Sequence, residues 1–206
     1  MNPFWKIRFR CLLALAVVGL TPSLSQGELQ AENIIKRETI EVGLQTGYWQ
    51  AFTGIGNGLS SNRSAMYVLP QVGYVFTDKL EAGILSGAFE VLLEPVGAHY
   101  FQPFSATLLG ASGVLRYNFL DFGRVVPFWD FGGGVAWTDL APKISEESTP
   151  FEFLLATGPG LHIFLTDHLA IGGAVKLHHI SNAGLGDRNT GLNAVLGTIG
   201  FSFFFR

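Results

Sequence analysis

The sequence is short of three things. No apolar run reaches the roughly 18 to 20 residues that a membrane-spanning helix needs. Only one cysteine is present, Cys11. Charged residues make up 14% of the chain, against 48% hydrophobic residues. The first absence excludes a helical membrane protein, and the second excludes a disulfide within the chain. The third fits poorly with a soluble domain, because so much apolar surface must be buried or placed in lipid. A bilayer demands that every backbone polar group be paired, and besides a helix only a closed β-barrel achieves this. A transmembrane β-barrel is therefore the natural solution, and a buried soluble β-sandwich is its competitor.

The N-terminus favours the barrel. Lys6, Arg8 and Arg10 precede an apolar stretch from Cys11 to Leu20, and small residues follow at Ser23 and Ser25. This pattern predicts a cleaved signal peptide over residues 1–25, too short to anchor in a membrane. Residues 26–206 then form the barrel domain, with no cysteine left and so no thiol nucleophile. Its loss of three cationic residues leaves ten Lys and Arg against sixteen Asp and Glu, which argues against nucleic acid as a partner.

Thr39 to Trp49 alternates cleanly. Ile40, Val42, Leu44 and Tyr48 share one face, and Glu41, Gly43, Gln45 and Gly47 share the other. Apolar outward and polar or small inward is the pattern of a barrel strand. Similar segments recur at Met66–Phe76, Leu80–Leu93, Phe104–Phe119, Val126–Thr138, Phe151–Leu165, Leu169–Ser181 and Gly191–Phe205. Gln50–Ala65, Glu94–Pro103, Asp139–Pro150 and Asn182–Thr190 read as longer loops. Short turns at Thr77–Lys79, Asp121–Arg124 and Thr166–His168 alternate with them. The expected fold is all-β, an eight-stranded antiparallel transmembrane β-barrel.

Eight strands enclose an interior that side chains can fill, so an open porin channel is excluded. Glu41, Gln45, Arg116, Asp130, Glu152, His162 and Lys176 are expected to form a paired polar network inside. Trp49, Trp129 and Trp137 are expected among the aromatics at the membrane interfaces. In the last strand, Thr198, Gly200, Phe203 and Phe205 resemble the C-terminal signal read by the barrel assembly machinery, although Arg206 follows the usual terminal aromatic.

The chemistry-bearing stretch is Lys176–Asn193. Side chains along a strand alternate faces. His179 and Ser181 therefore share the apolar face of Ile171, Val175 and Leu177, and Asn193 shares that of Val195 and Ile199. Three polar groups at one end of two apolar faces need a reason. A hydroxyl within reach of an imidazole meets the first need of nucleophilic catalysis, and Asn193 could orient the ring. His178 points to the opposite, interior face. No clustered His, Asp or Glu set has metal-ligand spacing, so no metal or cofactor is expected; a Ca²⁺ requirement stays open.

His179-Ile180-Ser181-Asn182-Ala183-Gly184, followed by Asn189-Thr190-Gly191-Leu192-Asn193, resembles the signature of the outer-membrane lipid A 3-O-deacylase family (PagL type, acyloxyacyl hydrolases). The resemblance implies a serine esterase that removes a 3-O-linked acyl chain from lipid A of lipopolysaccharide. It implies Ser181 as nucleophile, His179 as general base, and Asn182 with the Gly184 N–H as oxyanion-hole donors. The family's third member is a Glu, and its position falls on Asn193 here; Asp187 is a candidate substitute acid. Implied surroundings are lipid A, outer-membrane lipids and, in some members, a homodimer. The departure at Asn193 keeps another class in play, a non-catalytic barrel with a structural, lipopolysaccharide-binding or adhesive role. A small-solute pore is a third reading.

Overall fold

A computed structural model of the chain describes residues 29–52, 62–141 and 143–206. The expected signal peptide and the middle of the first long loop lie outside the described residues. Eight antiparallel strands close into a barrel: β1 (Ile40–Ala51), β2 (Ser64–Val75), β3 (Gly87–Gln102), β4 (Ala106–Phe119), β5 (Val125–Thr138), β6 (Phe151–Phe164), β7 (Leu169–Ser181) and β8 (Leu192–Phe205). Each strand pairs with its sequence neighbour, and β8 returns to β1 from Ile40–Phe205 to Ala51–Ala194. Closure leaves no unpaired sheet edge, as a bilayer requires.

Burial along the strands is inverted relative to a soluble protein. In β1, Ile40, Val42, Leu44 and Tyr48 are exposed, whereas Glu41 and Gln45 are buried. The same inversion exposes Val68, Val72, Val91, Phe131, Val175 and Ile199 around the barrel. An outer surface of this kind is stable only when its solvent is lipid.

The interior has three layers. At the end where β1 begins and β8 ends, Ala31, Ile35, Val75, Phe164 and Phe204 form an apolar plug, closed by a 3₁₀ turn at Ala31–Asn33. The middle layer is the polar network. Arg116 donates to both oxygens of Asp130 at 2.8 and 3.2 Å and to Glu41 at 2.9 Å. Lys176 reaches Asp130 at 2.9 Å. Gln71 bridges Glu94 and Gln45, and Thr198 continues to Gln45 at 2.7 Å. His162 is buried with them, and Glu152 is buried nearer the loop end, beside Tyr100, Leu140 and Leu192. All seven expected inward residues therefore lie inside, and Arg116 and Lys176 meet carboxylates as buried charges must. Glu152 departs from the expected pairing: among the described residues neither of its carboxyl oxygens has a hydrogen-bond partner. The third layer, at the loop end, is aromatic and aliphatic: Trp49, Tyr67, Tyr100, Leu140, Ile144, Ile180 and Leu192.

Three expectations are corrected. Glu94–Pro103 is not a loop, since β3 runs through Pro95 to Gln102. Proline in a strand forfeits one ladder hydrogen bond. Here Pro70 and Pro95 face each other where the β2–β3 ladder lapses, between Val68–Gly97 and Val72–Leu93. Each keeps its partner on its other side, Leu44 and Ala111 respectively. One gap accommodates both rings. Correspondingly, Leu80–Ser86 is not the start of a strand but a connection held by isolated bridges and a turn at Gly83, whose φ is +59°. Finally, Trp49 is not an interfacial aromatic. It is fully buried and donates from Nε1 to Nδ1 of His178 at 3.1 Å. It shares the parity of Glu41 and Gln45, so the alternation itself sends it inward. Trp129 and Trp137 do face outward, and His178 is interior as expected.

Candidate active site

Register brings the first two site residues together. The β7–β8 ladder sets His179 directly opposite Asn193 on the outer face, and their side chains meet at 2.9 Å, Nδ1 to Oδ1. A carbonyl oxygen only accepts, so Nδ1 carries the proton and Nε2 is left as the free base, the form that can take a proton from a hydroxyl. Ser181 follows two residues later on the same face and is half-buried, as are His179 and Asn193. Among the described residues no hydrogen bond reaches the Ser181 hydroxyl.

Gly191, just before β8, keeps the basic edge of the imidazole open. A Cβ there would stand 2.6 Å from His179 Cε1 and 3.2 Å from Nε2. Its φ is +76°, which also disfavours any side chain.

The loop after β7 is folded by Asn182. Its Oδ1 accepts the Gly184 N–H at 3.0 Å, and its Nδ2 donates to the Arg188 carbonyl at 2.7 Å. This local turn sends Ala183 and Gly184 into the left-handed region, with φ of +52° and +80°. The two expected oxyanion donors are thus adjacent, but they are bonded to each other and to the loop. Asp187 is exposed on the same loop and makes no hydrogen bond to His179.

A carboxylate that sequence reasoning missed lies behind the site. Glu147, in the connection between β5 and β6, is 1% exposed. Its Oε1 accepts the Gly191 N–H at 2.9 Å, and its Oε2 accepts the Asn182 N–H at 3.3 Å. Burial pushes its carboxyl above the usual range, against the pull of those two N–H groups and of His179. Neighbouring Glu146 forms a bidentate pair with Arg63 at 2.5 and 2.6 Å. Burial alone would raise Glu146 as well, but the guanidinium outweighs it and holds the carboxyl below its usual value. Arg188 donates to the carbonyls of Ile144 and Glu147, and the Thr190 N–H donates to the Glu146 carbonyl. Residues 144–147 are in this way clamped over the 182–191 loop. The adjacent acids Glu146-Glu147 were the only sequence signal for it, and no periodicity ties a loop residue to a strand face.

A groove of about 550 Å³ opens from His179 and Asn193 along the outer face, lined by Phe131, Gly133, Leu155 and Leu177. Its floor is a register row. Asn193 stands opposite His179, His179 opposite Leu155, Leu155 opposite Gly133, and Gly133 opposite Gly113. Gly113 and Gly133 lack the side chains that would fill the row. Phe131 and Thr157 stand one step to one side, and Val135 and Phe153 one step to the other. The result is an apolar trough running across the strands, with an imidazole at one end.

Comparison with known proteins agrees with this arrangement. The family model described as lipid A 3-O-deacylase (PagL) matches residues 38–202. The crystal structure of the outer membrane enzyme PagL is similar in fold, with a TM-score of 0.53 and 17% identity over 78% of this chain and 97% of that one. Neisserial surface protein A is similar too, with a TM-score of 0.51 and 13% identity over 80% of this chain and 95% of that one. No curated protein sequence matches the chain. Because the family match covers most of the chain, His179, Ser181 and Asn193 included, the chain belongs to the lipid A 3-O-deacylase (PagL) family.

Proposed function

We propose that the protein is a serine esterase that removes the 3-O-linked acyl chain from lipid A in the outer leaflet of the outer membrane. Family membership supports the coarser part, a lipid A deacylase role in the outer membrane. The observation that carries the finer part is the His179–Asn193 pair at the head of a lipid-facing apolar trough. A substrate already in the leaflet can enter from the side, its acyl chain in the trough and its ester beside Ser181.

In this mechanism His179 Nε2 takes the Ser181 proton as Oγ attacks the ester carbonyl. The tetrahedral oxyanion collapses, the C–O bond to the sugar breaks, and the proton on Nε2 passes to the leaving sugar oxygen. A water, deprotonated by the same nitrogen, then attacks the acyl-serine; the bond from the acyl carbon to Oγ breaks, Ser181 Oγ takes the proton back from Nε2, and the fatty acid is released. Asn193 holds the ring through Nδ1–H throughout, as a neutral orienter does in Cys-His-Asn sites. Asn182 and the Gly184 N–H are the proposed oxyanion donors. For that role Gly184 must exchange its bond to Asn182 Oδ1 for one to substrate, which makes the 182–184 turn a moving part of the site.

The test is mass spectrometry of lipid A from outer membranes carrying the wild-type protein or Ser181→Ala. Loss of one hydroxyacyl chain with the wild type alone is expected. Identical lipid A from both, with both barrels folded and inserted, would refute the esterase and favour a binding role.

A further inference from the structure

The site as described lacks a negative charge. Asn193 orients His179 but cannot stabilise the imidazolium that forms when Ser181 gives up its proton. On β7, the flanking Lys176 and His178 point into the barrel. On β6, Leu155 faces the ring, and Glu152 is buried inside the barrel, where it lines the same small cavity as Glu147 and hydrogen-bonds to neither His179 nor a backbone N–H of the site. In the 182–191 loop, Asp187 is exposed and Arg188 is committed to the carbonyls of Ile144 and Glu147. In the 139–150 connection, Glu146 is neutralised by Arg63.

Glu147 remains. Its carboxylate accepts two backbone N–H groups and, among the described residues, pairs with no cation. One of those donors is Gly191, where an added Cβ would touch the Cε1–Nε2 edge of His179. The carboxylate therefore sits one residue behind the ring and is shielded from water. We propose that Glu147 is a positioning residue for this reaction. It supplies, from a different loop and through space, the negative charge that the third site position lacks. By holding the N–H groups of Asn182 and Gly191, it also fixes the two chain points that flank Ser181 and Asn193.

This inference rests on the esterase reading for its purpose but not for its test. A buried negative charge near an imidazole raises the pH at which the ring titrates. The measurement is an NMR titration of the His179 ring in detergent-solubilised protein, for the wild type and Glu147→Gln, with the signal assigned by its loss in His179→Gln. Glu147→Gln is expected to lower the midpoint by about half a pH unit. The acid limb of kcat/KM on a long-chain ester should move the same way. In that background Asn193→Glu should restore at least a tenfold part of the lost rate, because it returns a carboxylate to the ring.

A merely structural clamp predicts a lower rate, an unmoved midpoint and no rescue, and that result overturns the proposal. A moved midpoint with no hydrolysis by any variant would instead refute the esterase while leaving the electrostatic role intact. Should Glu147→Gln not fold, Glu147→Asp decides the matter. Asp keeps the charge but cannot reach both N–H groups. A retained midpoint supports the charge, and a midpoint that falls by half a pH unit counts against it.

Discussion

On the proposed mechanism, replacing Gly133 by leucine should shift hydrolysis from long-chain towards short-chain esters. Gly133 lies two strands from His179 along the trough, and Gly113 lies three. Neighbouring strands are about 4.8 Å apart, which puts these glycines about 10 and 14 Å from the imidazole. Carbon–carbon bonds of about 1.5 Å at about 111° give an extended chain about 1.25 Å per carbon. Gly133 is then reached by about the eighth carbon and Gly113 by about the eleventh. A leucine at Gly133 points into the trough, because residues of its parity, Phe131 and Val135, face outward. It should evict roughly the last four carbons of a twelve-carbon chain. A fully buried methylene contributes about 0.8 kcal/mol, and half that in an open trough, so four carbons amount to about 1.6 kcal/mol. That is a loss of about fifteenfold in kcat/KM.

The assay is hydrolysis of soluble p-nitrophenyl esters in detergent, with chains of four to twelve carbons. Water-to-trough transfer is then part of the binding energy, as it is not for a lipid already in the bilayer. Gly133→Leu should match the wild type up to about eight carbons and fall behind beyond that. An equal loss at every length, or no loss at twelve, would refute the trough as the acyl site.

Asn193→Ala removes one neutral hydrogen bond to His179, so kcat should fall about tenfold, corresponding to roughly 1.4 kcal/mol; an unchanged kcat would show that the ring needs no orienter. Gly191→Ala should fold as a barrel, judged by heat-modifiable migration in gels, yet lose nearly all activity, because its methyl meets His179 Cε1 at 2.6 Å. The Arg63–Glu146 pair gives the outer loops a pH dependence. The Glu146 carboxyl is depressed below its ordinary 4.5. Its contribution is therefore present above that value and lost as pH falls through the lower folded value. Hydrogen exchange in residues 143–150 should accelerate as pH falls below 4.5, and Arg63→Met should produce the same acceleration at pH 7, at a cost of about 3 kcal/mol.

Much of the fold was legible because a barrel strand has a period of two and a loop does not. All eight strands were found, though β3 was set too early in the chain, and the seven interior polar residues followed from parity alone. What parity could not show was pairing between strands. Pro95 looks like a strand breaker until Pro70 is seen opposite it, sharing one gap in the ladder. That relation joins distant positions and depends on the register, which the local pattern leaves free. Trp49 was misplaced for the opposite reason. Composition suggested an interfacial tryptophan, while the alternation of its own strand sent it inward to His178.

The site divides along the same line. His179, Ser181 and Asn193 were legible because two facing strands carry them, and register then placed His179 against Asn193. Glu147 was not, because it belongs to an irregular connection whose path is fixed by contacts such as Arg63–Glu146 and Arg188 with the Ile144 carbonyl. Those contacts exist only once the barrel has closed. The consequence reaches the chemistry. A site built only from strands must place its charge on a facing strand, at the position of Asn193. A site completed by a loop can take its charge from behind, and the facing position is then relieved of that duty. The carboxylate missing from Asn193 and the carboxylate buried at Glu147 are on this reasoning one fact, and the Glu147→Gln, Asn193→Glu double variant is the experiment in which they exchange places.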